Sequence, residues 1–288
     1  MRWSTGDRGN IEDARGRSGG GGMIPLGIGG FIVVALLSMF TGVDFFSMLG
    51  GGGSSQPTAV GTTGTVNSSP SEEKLVDMVD AVARDVQETW VDKVGDRYQA
   101  TKVVLFRDSI QSACGYAGAV SGPFYCPGDQ KVYLDLSFFD ELQRRFSAPG
   151  DFAEAYVLAH EFGHHVQKLS GTESRVRAMQ EQNPSNVNAL SVRLELQADC
   201  YAGVWGHEAA QPGRAARGKV ELDPGDLEEA LRAASAIGDD RLQKLGTGRV
   251  MPEKFTHGTS EQRMTWFKRG FANGDPRECD TFGNSGTR

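Results

Sequence analysis

Ala155-Tyr-Val-Leu-Ala-His-Glu-Phe-Gly-His-His-Val-Gln167 is the stretch on which the reading of this chain turns. At its centre, His160-Glu161-Phe162-Gly163-His164 has the spacing His-Glu-x-x-His. On a helix, residues four apart lie about 40° from each other around the axis, so the two imidazoles share a face and can hold one ion together. Glu161 then stands beside the open position of that ion, where a general base is needed. Leu158, Phe162, Val166 and Leu169 occupy the opposite face and give the helix a side to bury. Asp151, with Glu154 three residues on, offers a capping box to start the helix, which should run to about Leu169 and stop at Gly171. Chance produces such a pattern in about one chain per hundred of this length. The competing reading is an amphipathic helix with two surface histidines.

A hydrolytic zinc site takes three protein ligands and keeps a fourth position for water. The residue six after His164 is Ser170, which excludes the third histidine of a metzincin. The candidate third ligand is Glu195, in Leu194-Glu-Leu-Gln-Ala-Asp199, on a helix expected over Asn186 to Trp205. Asp199, one turn later, shares its face and can hydrogen-bond a ligating imidazole, while Ala198 and Ala202 let two helices approach. Glu173 and Glu181 are alternative ligands without a matching Asp, and a Glu and Asp four apart can also be merely solvated. His257 and Arg263 flank the start of a helix expected to run to Phe271. There both can offer donors to a developing oxyanion, which makes them catalytic candidates. For Arg263, pairing with a carboxylate such as Asp199 stays open. His165 points about 100° from His164 and reads as structural or exposed, and His207 as a cap or surface residue.

Composition sets the frame for this site. Of 288 residues, 39% are hydrophobic and 23% charged, which suits a globular chain, and the net charge of -7 argues against a nucleic-acid partner. Glycine is concentrated before about residue 65. From Ile24 to Val43 no residue is charged, and about 20 helical residues span a ~30 Å hydrocarbon core. Arg2, Arg8, Arg15 and Arg17 precede this run and the next basic residue is Lys74, which predicts a single-pass membrane protein with its N-terminus cytoplasmic. The expected organisation is a tail over 1–22, an anchor over 23–49, a Gly/Ser/Thr/Pro-rich linker over 50–70 and an extracytoplasmic domain over 71–288. A cleaved signal peptide is the alternative, against which stand the long tail and the lack of an A-x-A site.

Four cysteines suit an oxidising compartment. Cys114 and Cys126 would close a short Gly/Pro-containing loop, leaving Cys200 for Cys279; four reduced thiols are the alternative. Without a C-x-x-C pair, a thiolate zinc site has no basis. Helical periodicity over Glu72 to Trp90, Phe138 to Phe146 and Pro224 to Ile237, with short β-rich stretches at Thr101 to Phe106 and Lys131 to Leu136, predicts an α+β, mainly helical domain with a small sheet. The second of these strands could offer an edge to an extended substrate, or be a core strand.

At these residues the chain resembles the bacterial neutral zinc metallopeptidase family. The matching blocks are Cys114-Gly115, Gly122-Pro-Phe-Tyr-Cys-Pro127, Val132-Tyr-Leu-Asp-Leu136, the histidine helix, Glu195-Leu-Gln-Ala-Asp-Cys200 and Thr256-His-Gly-Thr-Ser260. Met1-Arg-Trp3 and Asn10-Ile-Glu-Asp13 extend the likeness to the N-terminus. A more distant similarity joins Glu195/Asp199 and His257/Arg263 to the membrane metallopeptidases that include the CAAX prenyl proteases, which have Pro where this chain has Gly258. These resemblances imply a zincin-like fold and a zinc-dependent endopeptidase acting on a polypeptide through a zinc-activated water and a Glu base. The rival readings are a zinc hydrolase of cell-wall amides and a catalytically inactive, membrane-tethered scaffold. Substrate identity and oligomeric state are not encoded in these motifs.

Overall fold

The computed structural model describes residues 1–16, 66–118, 122–144 and 147–283. The expected anchor over 23–49 and most of the linker lie outside the described residues. Among the described residues, no helix is long and apolar enough to cross a membrane.

Ser69 caps the first long helix, accepting the Glu72 amide, and Pro70 sits in the first turn where no N–H is needed. This helix, α1 (Pro70–Val94), buries Val76, Val79, Val82, Val86 and Trp90 on one side, the period read from the sequence. The principal sheet comprises β1 (Ile11–Asp13), β2 (Val103–Phe106), β5 (Phe124–Cys126) and β6 (Lys131–Asp135), in the order β1-β2-β6-β5. β1 and β6 run parallel to β2, and β5 runs antiparallel to β6. Val103, Leu105, Val132 and Leu134 face the main core, while Val104, Phe106 and Tyr133 join a smaller cluster with Ala14 and Cys126. Burial on both faces explains why β2 reads as a continuous apolar run instead of an alternating one. β6 is paired on both sides and is a central strand; β5 is the outer strand on that flank. A separate hairpin, β3 (Ser109–Ser112) with β4 (Gly115–Gly118), was not anticipated.

The helical layer comprises α2 (Ser137–Arg144), α3 (Asp151–Leu169), α4 (Thr172–Gln182), α5 (Val187–Ala209), α6 (Asp226–Ala236), α7 (Asp239–Thr247) and α8 (Ser260–Asn273). The mainly helical α+β expectation holds, although α4 and α7 were read as connections. Two close approaches fix the helices around the site. A Cβ on Gly163 of α3 would stand 3.0 Å from the Ala198 Cα of α5. Between α5 and α8 the backbones are closer still: a Cβ on Gly203 would overlap the Phe267 carbonyl, and one on Gly270 the Cys200 carbonyl. Both expected disulfides are present, Cys114–Cys126 and Cys200–Cys279.

Two expectations need correction. Asp151 is the first residue of α3 and caps nothing; its N-cap is Gly150 without a side-chain bond. The Asp151 carboxylate instead accepts the Met1 ammonium at 2.9 Å, beside Asp226 at 3.2 Å. More broadly, residues 1–16 belong to the folded domain rather than to a separate tail ending at residue 22. Arg2 pairs with Glu221 and Asp223, each at 2.8 Å. Arg8 pairs with Asp77 at 2.7 Å and with Glu73. The buried Arg15 guanidinium meets Asp13, Glu72 and Glu73 at 2.6, 2.8 and 2.9 Å. Three of the four arginines behind the orientation argument are therefore occupied by carboxylates of the fold. A chain crossing a bilayer once leaves its flanks on opposite sides, whereas β1 and β2 are hydrogen-bonded neighbours.

Candidate metal centre

His160 and His164 stand one turn apart on α3, with ring centroids 4.8 Å apart and planes at 89°. Glu195 reaches them from α5: Oε2 lies 3.1 Å from His160 Nε2, and Oε1 lies 3.5 Å from His164 Nε2. One ligand atom from each of the three lies within 4.8 Å of the others. Donors bound to a tetrahedral zinc at 2.0–2.1 Å stand about 3.4 Å apart. The three side chains proposed from sequence thus meet at a spacing that fits zinc, with two neutral nitrogens and one carboxylate as donors.

Behind the ligands, hydrogen bonds set the rings. A carboxylate only accepts, so His160 Nδ1–H donates to Asp199 Oδ1 at 2.8 Å, leaving Nε2 for the ion. Asp199 is held in turn by the Tyr156 hydroxyl at 2.6 Å and by Arg263, whose Nε and Nη2 each donate at 2.8 Å. His164 Nδ1–H donates to Gln167 Oε1 at 2.9 Å, and Gln167 Nε2 donates to the Leu194 carbonyl of α5 at 2.7 Å. Asp199 was expected in this role. Tyr156 and Gln167 were missed, although Tyr156 is four residues before His160 and Gln167 three after His164, both on the ligand face of α3.

The charges call for a cation. Burial pushes the Glu195 carboxyl up, but His164 and His160 reverse this and hold it well below the carboxylate range. Burial likewise raises Asp199, and Arg263 with His160 brings it to about 2. Burial alone would lower His160, yet Asp199 and Glu195 lift it to about 10. The two carboxylates therefore demand positive charge between the rings, which a divalent ion supplies as a proton does. Burial raises the carboxyl of Glu161, and the two imidazoles oppose the rise without cancelling it. A raised carboxyl suits a group that must take a proton near neutral pH.

The other candidates separate clearly. His257 lies in the loop before α8, where Thr259 and Gln262 form a capping box. Arg263 is bound bidentately within the fold to Asp199, so its side chain orients the site and is not free to meet an oxyanion. His165 is buried and structural, bonded to the Tyr125 hydroxyl at 3.0 Å and the Gln99 carbonyl at 2.6 Å. His207 ties α5 to the Phe271 carbonyl at 2.8 Å. Glu173 pairs with Lys168 and Arg177, and neither it nor Glu181 joins the ligand group. Cys200 follows Asp199 directly, so the Cys200–Cys279 bridge and the Gln197 bond to the Cys279 carbonyl at 2.9 Å brace the ligand-bearing helix.

Comparison with known proteins gives the family. The model of a family described as "Putative neutral zinc metallopeptidase" matches residues 1–282, and the chain belongs to that family. Its relatives include the Escherichia coli protein called "Uncharacterized protein YpfJ", 47% identical over 99% of this chain and 100% of that protein. The Mycobacterium bovis protein "Uncharacterized protein Mb2605" is 46% identical over 64% of this chain and 63% of its own length. No solved structure matches the chain.

Proposed function

From that family membership we propose that the protein is a zinc-dependent endopeptidase that hydrolyses peptide bonds with Glu161 as general base. The convergence of His160, His164 and Glu195, with Glu161 on the same helix turn, carries this reading. Zinc held by His160, His164 and Glu195 would supply Lewis-acid chemistry, activating a water and polarising the scissile carbonyl. Glu161, one residue from His160 on the same helix, would act as the general base, taking a proton from the attacking water and giving it to the leaving amine. Asp199 and Gln167 keep the two rings in the Nδ1–H tautomer throughout. His257 offers a donor to the tetrahedral oxyanion. The outer strand β5, on the α3 side of the sheet, replaces β6 as the edge that an extended peptide could pair against.

The test is zinc content and casein hydrolysis by the purified full chain, beside Glu161→Gln. Residues 1–16 are part of the fold, so a fragment starting at residue 70 would lack a strand. One zinc per chain in both proteins, with turnover only in the wild type, is expected. One zinc without turnover in either would redirect the search to other amides; no zinc would sink the reading.

We also propose that residues 1–16 and the domain fold together on one oxidising, extracytoplasmic side, and that the 23–49 segment associates with the membrane from there. The shared sheet and the two disulfides support this reading. A Thr5→Cys variant should label with an impermeant maleimide on the same face of sealed vesicles as a cysteine placed at the exposed Lys102. Labelling on opposite faces would refute it.

A further inference from the structure

Asp239 is a buried carboxylate that the ligand set does not explain. It opens α7, and its Oδ2 accepts three consecutive backbone amides, from Thr256 at 2.7 Å, His257 at 2.6 Å and Gly258 at 3.0 Å. The Asp239 amide donates back to the Gly258 carbonyl at 2.9 Å, closing the loop from both sides. These bonds alone would make Asp239 a clamp. Its second oxygen does something else: Oδ1 lies 3.1 Å from His257 Nδ1.

The clamped loop sits against the ligand helix. Gly258 has φ +93°, and a Cβ there would meet Val192 and Leu196 of α5 at 3.2 and 3.3 Å, on either side of Glu195 in the chain. Burial raises the Asp239 carboxyl, but His257 and the loop amides outweigh it and keep the group ionised. Thr256 Oγ1, 3.1 Å from the same His257 nitrogen, leaves Nδ1 engaged, so Nε2 is the ring nitrogen left for a further partner.

We propose that Asp239 is the positioning residue for His257: it fixes the loop with one oxygen and the Nδ1–H of the ring with the other, so that His257, once also protonated at Nε2, donates from that nitrogen with a carboxylate behind it. The catalytic consequence rests on the peptidase reading. When negative charge develops on the substrate, a ring that has taken its second proton from solvent donates Nε2–H to it, with the Asp239 carboxylate facing Nδ1. A neutral residue in its place could hold the loop but could not back the charge.

Asp239→Asn separates the two roles. The amide oxygen can keep the three backbone donors, while the amide nitrogen, a donor, faces His257 Nδ1 and turns the ring to the neutral Nε2–H form, a weaker donor with no carboxylate behind it. The full-length, zinc-loaded protein is compared with Asp239→Asn, His257→Ala and the double variant. His257→Ala should lower kcat about 10²–10³-fold, and Asp239→Asn about 10–100-fold, with zinc stoichiometry and KM unchanged. The double variant should be no worse than His257→Ala alone; multiplied losses would show a purely structural clamp and overturn the proposal. Long-range proton–nitrogen NMR of the imidazoles reads the ring without turnover. His257 should be protonated at Nδ1 in the wild type and lose that form in Asp239→Asn. A wild-type ring with bare Nδ1 would overturn the proposal with no variant needed. If the wild type shows no turnover at all, the peptidase reading falls while the NMR still decides the positioning claim.

Discussion

Two arginines close two ionic networks in this protein, and they do opposite work. Arg263 grips Asp199 bidentately between α8 and α5; the arginine is 2% exposed and the aspartate 0%. Arg15 gathers Asp13, Glu72 and Glu73 where β1 meets α1, and those carboxylates keep 23–35% of their side-chain surface in water. The chemistry is the same fork of N–H donors on carboxylate oxygens. The surroundings differ. In the first network no water can take over if a partner is lost, and the aspartate's oxygen also steers the His160 ring. In the second, water stands ready, and the bond serves to fasten a strand. Burial, more than the number of ion pairs, decides what each network is worth.

That contrast can be broken at several points. Arg263→Ala should have the largest effect, destabilising by about 3–5 kcal/mol, because it strands a buried carboxylate; chemical denaturation of the zinc-loaded protein would measure it. A loss below about 1 kcal/mol would mean that Asp199 has access to water. Asp199→Asn should fold but bind zinc about 10–100-fold more weakly, since a neutral amide holds His160 without raising its basicity. Competition with a chelator reads this. Arg15→Ala should cost only about 1 kcal/mol and leave zinc affinity unchanged. A drop in zinc affinity there would join the two networks and undo the comparison. The smallest effect is in acid. A hydrogen bond from Ser68 and the Arg8 ion pair hold the Glu73 carboxyl near 2, against 4.5 when free. The folded value is the lower one, so this stability is present above pH 4.5 and lost as pH falls toward 2. The melting temperature of the wild type should therefore fall more steeply over that window than that of Glu73→Gln.

The same contrast explains what could be read from the sequence. His160, His164, Glu195 and Asp199 are legible because each pair repeats at four residues on one helix, and helical geometry converts that spacing into a shared face. Tyr156 and Gln167 obey the same rule and could have been found by applying it outward from the histidines. Asp239 could not, since no periodicity links a helix start to a loop so far along the chain. β1 was illegible for a different reason. Three residues are too few to show alternation, and the partner of Ile11 is Val103, far down the chain. The arginines around it, Arg2, Arg8 and Arg15, match a charge pattern used to orient membrane segments, so the local signal points away from the tertiary one. Arg263 was ambiguous in sequence between substrate and Asp199, and only packing at Gly203 and Gly270 brings α8 close enough to α5 to decide it.

The place of β1 also bears on how the protein is made. β1 leaves the ribosome before its partner, and the two can pair only once Val103 to Leu105 have followed. From then until β1 docks, the edge of β2 that it will cover is a template for other strands. Long-range pairing of this kind is slow because the intervening loop must close first. The closing of this sheet edge is therefore a slow step in the maturation of the protein, and the interval before it leaves the nascent chain open to misassembly.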